Sequence, residues 1–219
     1  MEIKGCKCVI VANGSFPSDR IPLGLLDRAE TIIACDGAVN ALHERGIRPD
    51  AIIGDLDSIP DEFRRLYADR IHQVEDQEIN DLTKSVHFAH AAGHREILIL
   101  GATGLREDHT LGNISLLLDY ASAFDRVEMV SDYGIFTPIL QSATLPSDPG
   151  QQVSLFALYP EGEITTEGLR FPITRRKITS WWQGSLNEAL GEWFTITLTP
   201  GARVIIYREA HTAIKNPER

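Results

Sequence analysis

The chain has 219 residues, enough for one large domain or two small ones. Its 31 acidic residues outweigh 21 basic ones, and a net charge of −10 argues against nucleic acid as a partner, since phosphate backbones call for clustered Lys and Arg. No apolar run approaches the roughly 18 residues that span a bilayer, so no membrane partner is expected. Three cysteines (Cys6, Cys8, Cys35) and no apolar leader fit a cytoplasmic protein with reduced thiols.

In chain order, Lys7–Ala12 reads as a buried strand closed by Asn13-Gly14, and a helix follows near Leu23–Ala29. Thr31–Cys35 is a second strand, ending in Asp36-Gly37, and Val39–Glu44 a helix stopped by Gly46. Ala51–Ile53 is a third strand, broken by Gly54. Helices are predicted at Asp61–Tyr67, from Asn80 or Asp81 to Ala92, and from Asp108 or His109 to Ala121. Strands are predicted at Arg70–Val74, Glu96–Leu100 and Arg126–Val130. This alternation implies βαβ units: a Rossmann-like, mostly parallel sheet with helices on both faces.

After about Gly134 helical periodicity gives way to short β-type runs: Gln152–Tyr159, Glu163–Phe171, Ile178–Trp182, Trp193–Leu198 and Arg203–Tyr207. They predict a small all-β sandwich or barrel. The expected domains are 1–138, α/β and binding nucleotide and metal, and 139–219, a β-sandwich.

Candidate chemistry clusters at the carboxyl ends of the predicted parallel strands, where ligands of such sheets bind. Asp55-Leu56-Asp57 places two carboxylates at spacing two. In extended chain both would point to one side, and charges that close call for a cation; the alternative is a turn in which the aspartates bond nearby backbone amides, which Ser58 and Pro60 would suit. A hard ion such as Mg²⁺ prefers oxygen ligands and often accompanies phosphate. Gln77–Lys84 opens a helix that Asn80 or Asp81 caps, with Asp81 and Lys84 one turn apart, where the lysine could reach a phosphate while Asp81 reaches a metal. Gly101, Gly104, Arg106 and Asp108 form a glycine loop beside a guanidinium suited to phosphate oxygens. Asp36 suits a ribose hydroxyl or a metal-bound water. Asn13 and Gly14 share the same address.

In order and spacing, Asp36-Gly37-Ala38-Val39-Asn40, Gly54-Asp55-Leu56-Asp57-Ser58, Gln77–Lys84 and Gly101–Asn113 together resemble the thiamine pyrophosphokinase (thiamine diphosphokinase) family. The resemblance implies transfer of pyrophosphate from ATP to thiamine, giving thiamine diphosphate and AMP. It implies Mg²⁺ on Asp55, Asp57 and Asp81, and phosphate and nucleotide contacts from Lys84, Arg106, Ser58, Asp36, Gly37 and the glycine loops. Asp108 would lie near the reacting groups and Gln77 near thiamine. Gly184–Ala189 is similar to the family's Gly-Thr-Ser-Asn-Glu segment. That similarity implies a homodimer in which Trp181, Trp182, Ser185 and Asn187 of one subunit help bind thiamine beside the α/β domain of the other. Strand alternation puts the two tryptophans on opposite faces, one of them in the sandwich core. Asn80, Leu105 and Leu186 depart from the family pattern, where Thr, Gly and Ser are usual.

Two rival readings carry their own expectations. A haloacid-dehalogenase-like phosphohydrolase would use Asp55 as nucleophile. A non-catalytic module would bind Mg·ATP and regulate a partner.

Overall fold

A computed structural model describes residues 4–210. Its chain divides into two compact units, Lys4–Asp132 and the residues from Tyr133 onward. The expected boundary at 138/139 falls inside a strand, Gly134–Ile139.

In the first unit the elements are β1 (Cys8–Val11), α1 (Arg20–Asp27), β2 (Thr31–Cys35), α2 (Ala38–Glu44), β3 (Ala51–Gly54) and α3 (Asp61–Leu66). They continue as β4 (Ile71–Gln73), α4 (Asp81–Ala91), β5 (Glu96–Leu100), α5 (Glu107–Ser115), α6 (Leu117–Tyr120) and β6 (Arg126–Val130). The strands lie in the order β6-β5-β1-β2-β3-β4, and every pair is parallel. Every residue of β1 and β3 is buried. Helices cover both faces, and strands covered on both faces read as unbroken apolar runs.

The chain steps outward from β1 to β4, then returns to the other side of β1 for β5 and β6. The topological switch point therefore lies between β1 and β5, where ligands of open α/β sheets bind.

Helix boundaries follow their caps. The Asp19 side chain accepts from the Ile21 N–H at 2.9 Å, which starts α1 at Arg20, earlier than the apolar pattern predicted. The single helix expected up to Ala121 is two. Ser115 Oγ turns back onto the Gly112 carbonyl at 2.7 Å, and a hydroxyl competing for the helical ladder loosens it near that point.

The second unit contains β7 (Gly134–Ile139), β8 (Ala143–Pro146), β9 (Gln152–Tyr159), β10 (Ile164–Glu167), β11 (Asn187–Glu188), β12 (Trp193–Leu198) and β13 (Arg203–Glu209). Antiparallel β11-β9-β13-β7 and antiparallel β10-β12-β8 form its two layers. Val153, Leu155, Val204 and Ile206 from one layer meet Ile164, Phe194 and Ile196 from the other in one core, the sandwich the sequence predicts.

Two expected strands change. Glu163–Phe171 is strand only to Glu167, because Gly168 takes a left-handed φ of 79° and turns the chain. Ile178–Trp182 is not a strand; Trp181–Gly184 is a 3₁₀ turn, closed by a capping box between Ser180 and Gln183. Among the described residues no helix is long and apolar enough to cross a membrane.

Candidate active site

The loops after β1 and β5 meet at the switch point. Gly14 N–H donates to the Gly101 carbonyl at 2.7 Å, and Ser15 N–H to the Thr103 carbonyl at 2.8 Å. A side chain at Gly14 would collide with both carbonyls, so glycine is required there for loop-on-loop contact. The Gly14 N–H is thereby engaged within the protein rather than offered to a phosphate. Gly101 and Gly104 have φ of 65° and 93°, backbone that β-carbon-bearing residues rarely adopt.

Asp36 follows β2 in a left-handed conformation, φ 42°, and only 4% of it is exposed. Its Oδ1 is buried without a hydrogen-bond partner. Burial holds its pKa above the ordinary carboxylate value; the Ser58 hydroxyl and Gly37 N–H oppose that shift, and the charges of Asp81 and Asp55 add to it. Gly37 lies against the Asn13 amide, where a Cβ would fall 2.6 Å from Nδ2.

Asp55 and Asp57 follow β3. The stretch between them is not extended as the spacing argument assumed: Leu56 has a φ of 73°. The two carboxylates converge through a tight turn, in which the Asp57 N–H donates to Asp55 Oδ1 at 3.2 Å. Leu56 and Ile59 are buried, and Arg64 from α3 donates to both of their carbonyls. Gln77 Nε2 donates to Asp55 Oδ2 at 3.2 Å. The Asp57 N–H and, after it, the Gln77 amide keep Asp55 below the ordinary carboxylate pKa. Ser58 Oγ donates to Asp57 Oδ1 at 2.9 Å.

Carboxylate oxygens of Asp36, Asp55 and Asp57 lie within 4.8 Å of one another. Asp81, the third acid of the sequence reading, is outside that group but lines the same cavity. Asp81 is ion-paired with Lys84, Nζ to Oδ1 2.9 Å, and the lysine side chain is only 2% exposed. A buried ammonium needs such a partner.

Arg106 grips Asp108 in a fork: Nε to Oδ1 3.1 Å and Nη2 to Oδ2 2.5 Å. The guanidinium, with the His109 N–H behind it, brings the Asp108 pKa down to about 2.

These segments enclose a cavity of about 540 Å³. Asn13, Gly14, Asp36, Asp55, Asp57 and Ser58 line it, together with Gln77, Asp81, Lys84 and Arg106. Asp108, Gly37, Gly101 and Gly104 are not among the residues that line it, and the Asp108 side chain is exposed. Asn80 and Leu105, named from the sequence as departures from the family pattern, also line the cavity, as do His109, Thr110 and Asn113, to which sequence reasoning gave no site role. On α5 the signal was available: positions 106, 109, 110 and 113 share one helical face.

The remaining candidates belong to the second unit. Trp181 and Trp182 are both exposed, at 42% and 75%, so neither is sandwich core. The 3₁₀ turn, unlike a strand, buries neither face. Ser185 Oγ donates to the Trp182 carbonyl at 2.8 Å. Asn187 is buried, its Nδ2 donating to the Phe171 carbonyl at 2.7 Å and its Oδ1 accepting from the Phe171 N–H at 3.0 Å. Its side chain shapes the loop.

Comparison with known proteins gives a consistent picture. Residues 23–130 match the family model "Thiamin pyrophosphokinase, catalytic domain", and 134–207 match "Thiamin pyrophosphokinase, substrate-binding domain". Thiamine pyrophosphokinase 1 of Oryza sativa subsp. japonica is 32% identical over 149 residues, 57% of this chain and 55% of the relative. The chain thus spans about half the length of that relative. Thiamine pyrophosphokinase of Bacillus subtilis (strain 168) is 29% identical over 182 residues, 78% of this chain and 83% of the relative. Among solved structures, thiamin pyrophosphokinase from Geobacillus thermodenitrificans superposes with a TM-score of 0.77 at 25% identity, covering 94% of this chain and 98% of that one. The Candida albicans protein shares the fold, with a TM-score of 0.78 at 18% identity over 92% of this chain and 89% of that one.

Proposed function

The chain belongs to the thiamin pyrophosphokinase family, and we propose that it transfers the β,γ-pyrophosphoryl group of ATP to the hydroxyethyl oxygen of thiamine. The products are thiamine diphosphate and AMP. One observation carries the reading: carboxylates following two neighbouring strands converge within 4.8 Å on a cavity that also presents Lys84 and Arg106.

The donor set fits Mg²⁺. It is made of carboxylate oxygens, and one of them, Asp36 Oδ1, is buried without a hydrogen bond. Asp55, Asp57 and Asp36 would hold the ion, which when bound would neutralise charge on the phosphates. Lys84 and Arg106 bind phosphate oxygens, and Asp81 fixes the lysine against the wall. Gln77 holds Asp55 and faces the substrates. Asn13, Ser58 and the glycine turns shape the nucleotide side.

In the transfer, the thiamine hydroxyl oxygen bonds to the β-phosphorus while the bond from that phosphorus to the α–β bridging oxygen breaks. The bridging oxygen leaves with AMP. Asp108 accepts the hydroxyl proton once Arg106 has exchanged it for phosphate. While the guanidinium holds it, a carboxylate with a pKa near 2 is a poor base.

In the second unit, exposed Trp181 and Trp182 offer π faces to the thiazolium cation, Ser185 adds a hydroxyl, and Asn187 holds the loop in shape. The exposed apolar side chains of this unit, Trp182, Leu186 and Trp193 among them, support a homodimer, which light scattering would test. We place the protein in the cytoplasm, from its buried free cysteines.

Incubation with ATP, Mg²⁺ and thiamine, with products identified by mass, tests the reading. Thiamine diphosphate and AMP in equal amounts are expected. Inorganic phosphate without thiamine diphosphate, or nucleotide binding without any product, would replace the kinase reading with a phosphohydrolase or a regulatory module.

A further inference from the structure

Two neutral carboxamides tie together the segments that bear the cavity's two cations. Asn80 Oδ1 accepts from the Thr83 N–H at 2.9 Å and so caps α4. Asn80 Nδ2 donates to Asn113 Oδ1 at 3.2 Å, and Asn113 Nδ2 donates to the Ala102 carbonyl at 2.9 Å. Only one orientation satisfies every member. Turning over the Asn113 amide would set its oxygen against the Ala102 carbonyl and its nitrogen against the Asn80 nitrogen.

The three residues tied this way all stand on the cavity wall. Asn80 opens the helix whose first turn carries Asp81 and Lys84. Ala102 belongs to the glycine loop. Asn113 lies on α5, two turns beyond Arg106 at that helix's N-cap. The bonds therefore tie the helix start that carries Lys84 to the helix whose N-cap is Arg106, the two residues assigned to phosphate.

We infer that Asn113 is a positioning residue for the nucleotide, acting with Asn80 to hold Lys84 and Arg106 at the spacing a polyphosphate needs. The inference rests on the phosphoryl-transfer reading of the cavity. Neither amide carries charge, so their loss alters the geometry of the cavity and leaves its net charge unchanged. A side chain that only donates or only accepts cannot replace Asn113, since it must do both in fixed directions.

The test is a double-mutant cycle. Asn113→Leu removes both bonds at similar volume. Asn80→Ser keeps a capping oxygen but is too short to reach Asn113. Calorimetric titration with Mg²⁺ and a non-hydrolysable ATP analogue reads affinity independently of turnover, and steady-state assays read KM for ATP and kcat. Each single variant is expected to weaken analogue binding and raise KM by about 10-fold, as displaced binding groups do. The double variant is expected to be no weaker than the worse single, because both remove the same bond. Asn113→Asp, which sets an oxygen against the Ala102 carbonyl, is expected to lose at least as much. Folded Asn113→Leu binding within twofold of the parent, or losses that add in the double variant, would overturn the inference. If Asn113→Leu does not fold, Asn80→Ser on the exposed helix start decides alone by the same twofold criterion. A parent that binds the analogue but makes no thiamine-dependent AMP would sink the functional reading and leave the tie standing. An active parent with unaffected variants would sink the tie alone. A parent that does not bind the analogue would overturn both.

Discussion

A Cβ placed on Gly54 would lie 2.7 Å from the Cβ of Asp36. The last residue of β3 is thus bare so that the acid after β2 can enter the carboxylate cluster. Gly54→Ala is expected to displace Asp36, costing about 1–3 kcal/mol of stability as overpacking does. Mn²⁺ affinity, read by electron paramagnetic resonance on the folded variant, should fall at least about 10-fold, since a misplaced ligand is lost to the site. Unchanged Mn²⁺ affinity would remove Asp36 from the ion's ligands.

Arg64 binds the carbonyls of Leu56 and Ile59, the two buried anchors of the acidic turn. A lysine there has no planar fork with which to hold both. Arg64→Lys is expected to lower kcat about 10-fold through loss of ligand positioning, with a stability loss of only about 1 kcal/mol for the missing hydrogen bond. Thermal denaturation beside steady-state kinetics checks the split. A loss of stability with kcat intact would make Arg64 merely structural.

Much of the first unit was legible because buried parallel strands leave continuous apolar runs; Glu96–Leu100 and Arg126–Val130 match the expectation end to end. The strands at Gly134–Ile139 and Ala143–Pro146 were not, since each carries a proline and the second alternates between half-buried and exposed positions. The β-like run into Trp181 and Trp182 concealed a 3₁₀ turn, although Ser180-x-x-Gln183 is the spacing of a capping box. Asp36 was legible as a strand-end acid. Its place beside Asp55 and Asp57 depends on strand adjacency and on the left-handed turns at Asp36 and Leu56, which no local pattern announces.

Burial pushes the Cys8 thiol up to about 12, with Cys6 and Asp50 adding to the shift. An unfolded thiol titrates near roughly 8.5. A folded pKa raised this way contributes stability that is whole below the unfolded value and is lost as pH climbs through about 12. Iodoacetamide at pH 8 should therefore leave Cys8 unlabelled in the native protein and label it in urea, as peptide mass mapping would read. Denaturant stability should decline above about pH 9, and less steeply in Cys8→Ala. Native labelling as fast as in urea would contradict the burial.

Asp57 is exposed, and asparagine matches its shape without its charge. Asp57→Asn should leave stability within about 0.5 kcal/mol of the parent, as surface changes do. Turnover should fall by roughly a thousandfold, the scale of a lost electrostatic group. Near-normal turnover in the folded variant would remove Asp57 from the metal site.

The most direct measurement uses ATP carrying isotopic label in its β- and γ-phosphates, with Mg²⁺, thiamine and the parent protein. Mass analysis should find all transferred label in thiamine diphosphate and unlabelled AMP in equal amount. Label recovered as inorganic phosphate, or as ADP beside thiamine monophosphate, would contradict pyrophosphoryl transfer from this cavity.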